Sequence, residues 1–461
     1  MISNNKLLGL RDIALLTFVA NFGVRWLAVA AGIGASALFF WILGALMLAI
    51  PMALMCAHLC QLYPEEGGIY AWTRRTLGEK NGFLVAWLYF VNNLFYYPAV
   101  LIFLATNFAF FLGKPLLANN SEFICVTVII FFWFLVLISF WGLKANKLMA
   151  EYGGILGSIV PAVLIIFLGF FLLFWTNHSA TDFTFNNILP TKAITHNLSN
   201  LTMLMFAMTG VEIIPTFAQA VKNPKRDLYS GLIIGALLLV AFYIIGTVAL
   251  NMILSPNDIQ KTSGLMHAFQ LVFARFDIPW MTRAVAFMLI FAELAVVSIW
   301  LIAPITMFFK CTPKGLLPDW LHKTNRYDAP VNALWFVGIL VTIILLATNL
   351  LPAVNDMYQV LVLMSVLLTF LPYIFLVFTY IKNREKIPLQ KITQTILAVS
   401  VLISLFLGII FSFELPGNMK TWHEKILYES ELILGPIIFV AMGYYLYYRW
   451  KRKPCLSGKR T

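Results

Sequence analysis

Three charged residues interrupt runs that are otherwise apolar enough to cross a bilayer. Arg25 follows Gly23-Val24, Glu212 follows Gly210-Val211, and Glu293 follows Ala292. A charge in hydrocarbon costs at least about 2.5 kcal/mol, so such residues face a cavity or a partner. Glycine-interrupted spans at corresponding positions of two halves point to a solute site near the midplane. There, broken helix ends offer N–H groups to a carboxylate and carbonyls to an ammonium. Other chemistry has little support. Cys56, Cys60, Cys125, Cys311 and Cys455 are scattered without a CxxC pair, and no His/Cys/Asp cluster suits metal or nucleophilic catalysis. Neither an enzyme, a metal nor another cofactor is expected.

The elements that must carry these charges are membrane helices. Of 461 residues, 61% are hydrophobic and 11% charged, too little polar side chain to cover a soluble fold of this size. Apolar runs bounded by charged or Pro/Gly/Asn-rich breaks predict about twelve spans. They lie near 11–33, 36–62, 82–112, 122–142, 149–175, 197–221, 229–254, 280–309, 331–350, 354–381, 391–413 and 428–449. Short surface helices are expected at 69–78, 264–275 and 315–322.

An even number of spans places both termini on one side. Of the 32 lysines and arginines, 24 fall on that side, 7 on the other, and Arg25 within the first span. The positive-inside rule makes the termini cytoplasmic, in a multi-pass protein of the plasma (inner) membrane. The net charge of +12 then reflects topology, and nucleic acid is not an expected partner. The first apolar run is too long, and interrupted by Arg25, to read as a cleaved signal, although Ala35-Ser36-Ala37 mimics a cleavage site.

No linker or second soluble domain interrupts the chain, which reads as one transmembrane domain over 1–461. Gly23 and Gly210 stand 187 positions, or about five spans, apart. An odd period inserts the second copy upside down, giving a first repeat over 11–175 and an inverted one over 197–381. Peripheral helices follow at 391–449, with a basic cytoplasmic tail at 450–461.

Five motifs occur in order along the chain. They are Tyr63-Pro64-Glu65-Glu66-Gly67-Gly68-Ile69-Tyr70-Ala71-Trp72 with Leu77-Gly78, Gly210-Val211-Glu212, Val221-Lys222-Asn223-Pro224-Lys225-Arg226, Ala292-Glu293, and Gly315-Leu316-Leu317-Pro318. Together they resemble the amino acid-polyamine-organocation transporters, most nearly the glutamate/GABA antiporter group, with the arginine/agmatine antiporters second. The resemblance implies an all-α leucine-transporter fold of five plus five inverted helices and two peripheral ones. It also implies an amino-acid-like solute carried by alternating access.

Within that frame the first break is expected over Asn21–Trp26, where Asn21, Phe22, Gly23 and Trp26 can line a cavity. The chain departs there from the Gly-Ser-Gly loop of many relatives. Arg25 therefore either contacts substrate or pairs internally with Glu212 or Glu293. The matching break carries Phe206, Thr209 and Gly210. The resemblance makes Phe206 a stacking aromatic and Glu212 a carboxylate coupling occupancy to movement; a helix-capping role for Glu212 is the structural alternative. Glu293 and Trp300, seven residues apart, share a helical face. By resemblance Glu293 matches a coupling or gating carboxylate and Trp300 an aromatic gate, against simple packing for either. Tyr97, Thr369 and Tyr373 fall at pathway-lining positions of the relatives. Tyr97 is chosen from a group that includes Tyr89, Phe90, Phe95 and Tyr96, and His58 is either a pH-sensitive or a packing residue.

The first functional reading is an antiporter exchanging an amino acid for another or for its decarboxylation product. The alternatives are a proton-coupled amino acid or polyamine symporter and a non-transporting amino-acid sensor. Exchange is preferred over sodium coupling because only Ser298 supplies a hydroxyl near the expected cation position. The fifth span has Glu151 at its entrance but no lysine along 149–175, and the tail is too short for a folded plug. The lipid bilayer is a partner, and a homodimer is open to such a chain.

Overall fold

The computed structural model describes residues 8–64, 68–142, 149, 153–190, 198–311, 315–327, 329–349, 353–414 and 422–452. Glu65-Glu66-Gly67, Glu151 and residues 453–461 lie outside the described residues. Among those described, eleven helices are long and apolar enough to cross a membrane, and one bent pair makes a twelfth span. The protein is an all-α, multi-pass membrane protein, and the observed spans follow the expected series from end to end.

The first span is broken. Leu10–Asn21 and Arg25–Ala31 meet at 58°, because Phe22 is extended, with φ −78° and ψ 110°. Tyr243 of the seventh span, Pro224–Ile253, holds this bend. Its hydroxyl accepts from the Gly23 N–H and donates to the Asn21 carbonyl, both at 3.1 Å. Trp41 stacks on Tyr243 at 4.6 Å between ring centres, which fixes the tyrosine in turn.

The sixth span runs as α-helix over Leu198–Ala207 and resumes as a 3-10 helix over Val211–Ala220. Gly210 makes the break with φ +108°, a conformation costly for any residue with a Cβ. Pro215 lacks an N–H and disfavours a return to the α-helical ladder. Prolines also shape the second and fifth spans, where π-helical turns at Ala45–Ala49 and Gly154–Ile159 precede Pro51 and Pro161.

The third span, Glu79–Phe111, is the central post and packs against the eighth, Trp280–Cys311, and the tenth, Val354–Lys382. The first span packs along the seventh through small residues. A Cβ at Gly231 or Gly235 would run into Ile13 or Thr17, and one at Gly157 into the backbone of Ala292. Close backbone approach of this kind is how membrane helices associate without a hydrophobic driving force.

Surface helices form at Gly68–Leu77 and Gly264–Arg275 as expected. The helix expected over 315–322 is reduced to one 3-10 turn, Asp319–His322. Gly315 at φ +80° cannot join a right-handed helix, and Pro318 sets the later start.

Candidate functional site

The two breaks meet at a small cavity of about 30 Å³, lined by Ala20, Asn21 and Trp26 from the first span and Phe206, Ala207, Thr209, Gly210 and Glu212 from the sixth. Tyr89, Asn92 and Tyr96 of the third span, Trp300 of the eighth and Thr369 of the tenth complete it. The volume suits one or two waters; an amino acid needs the aromatic walls to part. Gly210 favours this close meeting, because a Cβ there would fall on Asn21 Oδ1 and displace that side chain.

Buried polar groups close the cavity at two levels. At one, the Arg25 guanidinium donates through Nη1 to Glu293 Oε2 at 2.9 Å and through Nη2 to the Tyr96 hydroxyl at 2.8 Å. Both charged side chains are 3% exposed or less. The guanidinium also lies 4.9 Å from the Trp26 ring centre and 5.6 Å from that of Tyr96, within cation–π range. Of the alternatives for Arg25, the structure pairs it with Glu293, not Glu212.

At the other level, Glu212 accepts from three donors. The Tyr89 hydroxyl donates to Oε1, the Tyr373 hydroxyl to Oε2 at 2.5 Å, and the Gly210 N–H to Oε2 at 3.2 Å. The Gly210 N–H also reaches the Tyr373 oxygen at 2.8 Å. One carboxylate thus ties the sixth-span break to the third and tenth spans. Seven residues separate Tyr89 from Tyr96, so the two levels stand about 10 Å apart along the third span, with Asn92 between them. Gly68 comes close beneath: a Cβ there would lie 2.9 Å from the Glu212 carbonyl. The short helix Gly68–Leu77 therefore packs against the lower half of the sixth span.

Of the residues singled out from the sequence, Asn21, Trp26, Phe206, Thr209, Gly210, Glu212, Trp300 and Thr369 come together around the cavity. Phe206 meets Trp26 and Tyr96 edge to face at 5.9 and 6.0 Å. Trp300 Nε1 donates to the Ala20 carbonyl at 3.3 Å. The remaining six sit behind the lining. Phe22 packs on Phe18 and Tyr243, Gly23 is engaged by Tyr243, and Arg25 and Glu293 hold each other. Tyr373 lies one turn beyond Thr369, on Glu212.

Tyr97 turns away from the cavity. Its ring stacks on Phe132 at 5.7 Å and its hydroxyl donates to the Trp300 carbonyl at 2.8 Å. Tyr89, Asn92 and Tyr96 face the cavity in its place. Their i, i+3, i+7 spacing is one helical face, and it was legible in the sequence. His58 packs between Tyr229 and Tyr380, with ring centres at 5.6 and 6.1 Å. Cys56 and Cys60 are buried free thiols. Among the described residues no His/Cys/Asp/Glu group could hold a metal ion.

Comparison with known proteins agrees over nearly the whole chain. The amino acid permease family pattern matches residues 8–440. An uncharacterized transporter of Legionella pneumophila is 30% identical, with 95% of this chain and 96% of that protein covered. A glutamate/gamma-aminobutyrate antiporter of Lactococcus lactis is 24% identical over 89% of this chain and 84% of its own length. Among solved structures, a manganese transporter of Eremococcus coleocola superposes with a TM-score of 0.60 at 13% identity, covering 95% and 94% of the two chains. That likeness is one of fold, the leucine-transporter fold. The broken spans meeting at a buried cavity and the match along 8–440 lead to one conclusion: the chain belongs to the amino acid permease family of the amino acid-polyamine-organocation superfamily and is an amino acid transporter.

Proposed function

We propose that the protein is a secondary active antiporter, exchanging an amino acid for another amino acid or for its decarboxylation product by alternating access. The observation that carries this reading is the cavity at the two breaks, closed on either side by a buried polar layer built from different spans. Arg25–Glu293 joins the first span to the eighth, whereas Glu212 joins the sixth to the third and tenth. Opening one layer at a time gives alternating access, and solute in the cavity is the natural trigger for either. The glutamate/gamma-aminobutyrate antiporter among the relatives supports exchange as the mode. Inverted repeats over 11–175 and 197–381 supply the geometry for rocking, and the lysine and arginine bias supports cytoplasmic termini.

Proton-coupled symport is the second reading, favoured by Glu212 alone, whose carboxylate touches the cavity and both flanking spans. Counterflow separates the two. Proteoliposomes preloaded with unlabelled amino acids or amines should accelerate uptake of labelled solute when exchange operates. Uptake that follows an imposed pH gradient and ignores internal solute would establish symport instead.

A further inference from the structure

The tenth span and the eleventh, Lys391–Phe411, leave a second hollow between them, far from the two helix breaks. This groove holds about 140 Å³ and runs between Ile381 and Arg384 on one side and Thr395, Ala398, Val399 and Leu402 on the other. A space of about 150 Å³ accepts a benzene-sized apolar group. Arg384 and Thr395 stand at the polar end of the spans, and the deeper wall is apolar. Thr395, Val399 and Leu402 share a face by their i, i+4, i+7 spacing, which carries that wall about 10 Å into the hydrocarbon zone. Ile381 and Val399 are 37% and 45% exposed, so the groove opens sideways onto acyl chains. We propose that it binds one anionic phospholipid, with an acyl chain along Ala398, Val399 and Leu402 and the phosphate on Arg384.

Charge complementarity selects the headgroup. Lys382, Arg384, Lys386 and Lys391 face a single acid, Glu385, which leaves the segment at +3. Three of the cations are engaged: Lys382 donates to the Thr76 carbonyl at 3.0 Å, Lys386 to the Tyr63 hydroxyl at 3.4 Å, and Lys391 pairs with Glu385 at 2.8 Å. Arg384 is half exposed, and its acidic contact is Nε to Glu385 Oε1 at 3.9 Å, a weak pair in the open. Its guanidinium fork therefore remains available to a phosphate. Gln394, only 3% exposed, donates to the carbonyls of Arg384, Ile387 and Leu389 at 3.1, 3.3 and 2.8 Å. The turn presenting Arg384 is thus fixed to the start of the eleventh span, which lowers the ordering cost of binding. A zwitterionic headgroup would bring its own cation against the +3 segment, whereas an anionic one would not. The lysine and arginine bias supports the cytoplasmic leaflet as the source.

Native mass spectrometry of the purified full-length chain, released from nanodiscs of equal phosphatidylglycerol and phosphatidylcholine, reads the retained lipid directly. The parent should keep one phosphatidylglycerol with at least about fivefold preference, the effect of roughly one basic contact. Equal retention of the two lipids overturns the proposal, whether or not any variant folds. Arg384→Gln should remove most of that preference, and an unchanged ratio removes Arg384 as the phosphate anchor. Val399→Trp, at an exposed position, should fill the groove and release the lipid; full retention overturns the groove as the acyl site. Arg452→Gln, an exposed cation at the end of the peripheral helix Trp422–Arg452, should leave retention as in the parent. A loss equal to that of Arg384→Gln would mean diffuse attraction and overturn a defined site. Glycerol 1-phosphate at the lipid's concentration should not displace it, and displacement would make the site one for soluble phosphate instead.

Discussion

The Arg25–Glu293 pair permits a quantitative test of what holds the first and eighth spans together. Both side chains are almost fully buried, and the contact is 2.9 Å. Removing one partner of such a pair leaves an unpaired charge and costs about 3–5 kcal/mol. Replacing both with apolar groups of similar volume is nearly neutral, because desolvation of the ions roughly offsets their attraction. Arg25→Met and Glu293→Leu should therefore each destabilise by about 3–5 kcal/mol, and the double variant by much less, giving a coupling of about 3 kcal/mol or more. Glu293→Gln separates hydrogen bonding from charge: it keeps an acceptor for Arg25 Nη1 but leaves the guanidinium unneutralised, so it should fall with the single variants. The assay is reversible unfolding of the purified protein in mixed micelles, run as a double-mutant cycle. Single variants within about 0.5 kcal/mol of the parent would mean the pair behaves as a solvated one. A double variant as unstable as the sum of the singles would refute coupling between the two charges.

Glu212→Gln should uncouple solute occupancy from movement, lowering counterflow while solute binding persists; transport with unchanged rate and pH dependence would remove Glu212 from the mechanism. Gly210→Ala should cost about 1–3 kcal/mol from its φ of +108°, plus the displacement of Asn21, so both stability and affinity fall; a variant with the parent's affinity refutes close contact between the breaks. Outside the spans, burial pushes the Lys261 ammonium from 10.5 down to about 8, partly opposed by Asp356 and Glu414, while its Nζ donates to Gln359 Oε1 at 2.6 Å. Between those values the unfolded chain holds a proton that the folded chain has lost, so stability should rise with pH from about 8 to about 10.5. Lys261→Met should flatten that rise in paired thermal melts, and an identical slope in parent and variant would refute it.

The spans were legible because a bilayer demands about 20 apolar residues per helix, and composition alone supplies that pattern from 11–33 to 428–449. Both breaks were legible too, since Gly23 and Gly210 interrupt such runs beside charges that hydrocarbon does not accept. What sequence could not determine was which partners those charges take. Arg25 had two carboxylates to choose from, 187 and 268 positions away, and only the packing of the first span beside the eighth selects Glu293. The same holds within the third span, where the aromatic and amide residues crowd every face of one helix. Choosing Tyr97 from position alone missed the lining, because rotation of that helix against the eighth and tenth turns Tyr97 onto Phe132 and brings Tyr89, Asn92 and Tyr96 inward. Periodicity determines which residues share a face, whereas the neighbouring helices determine which face meets the cavity.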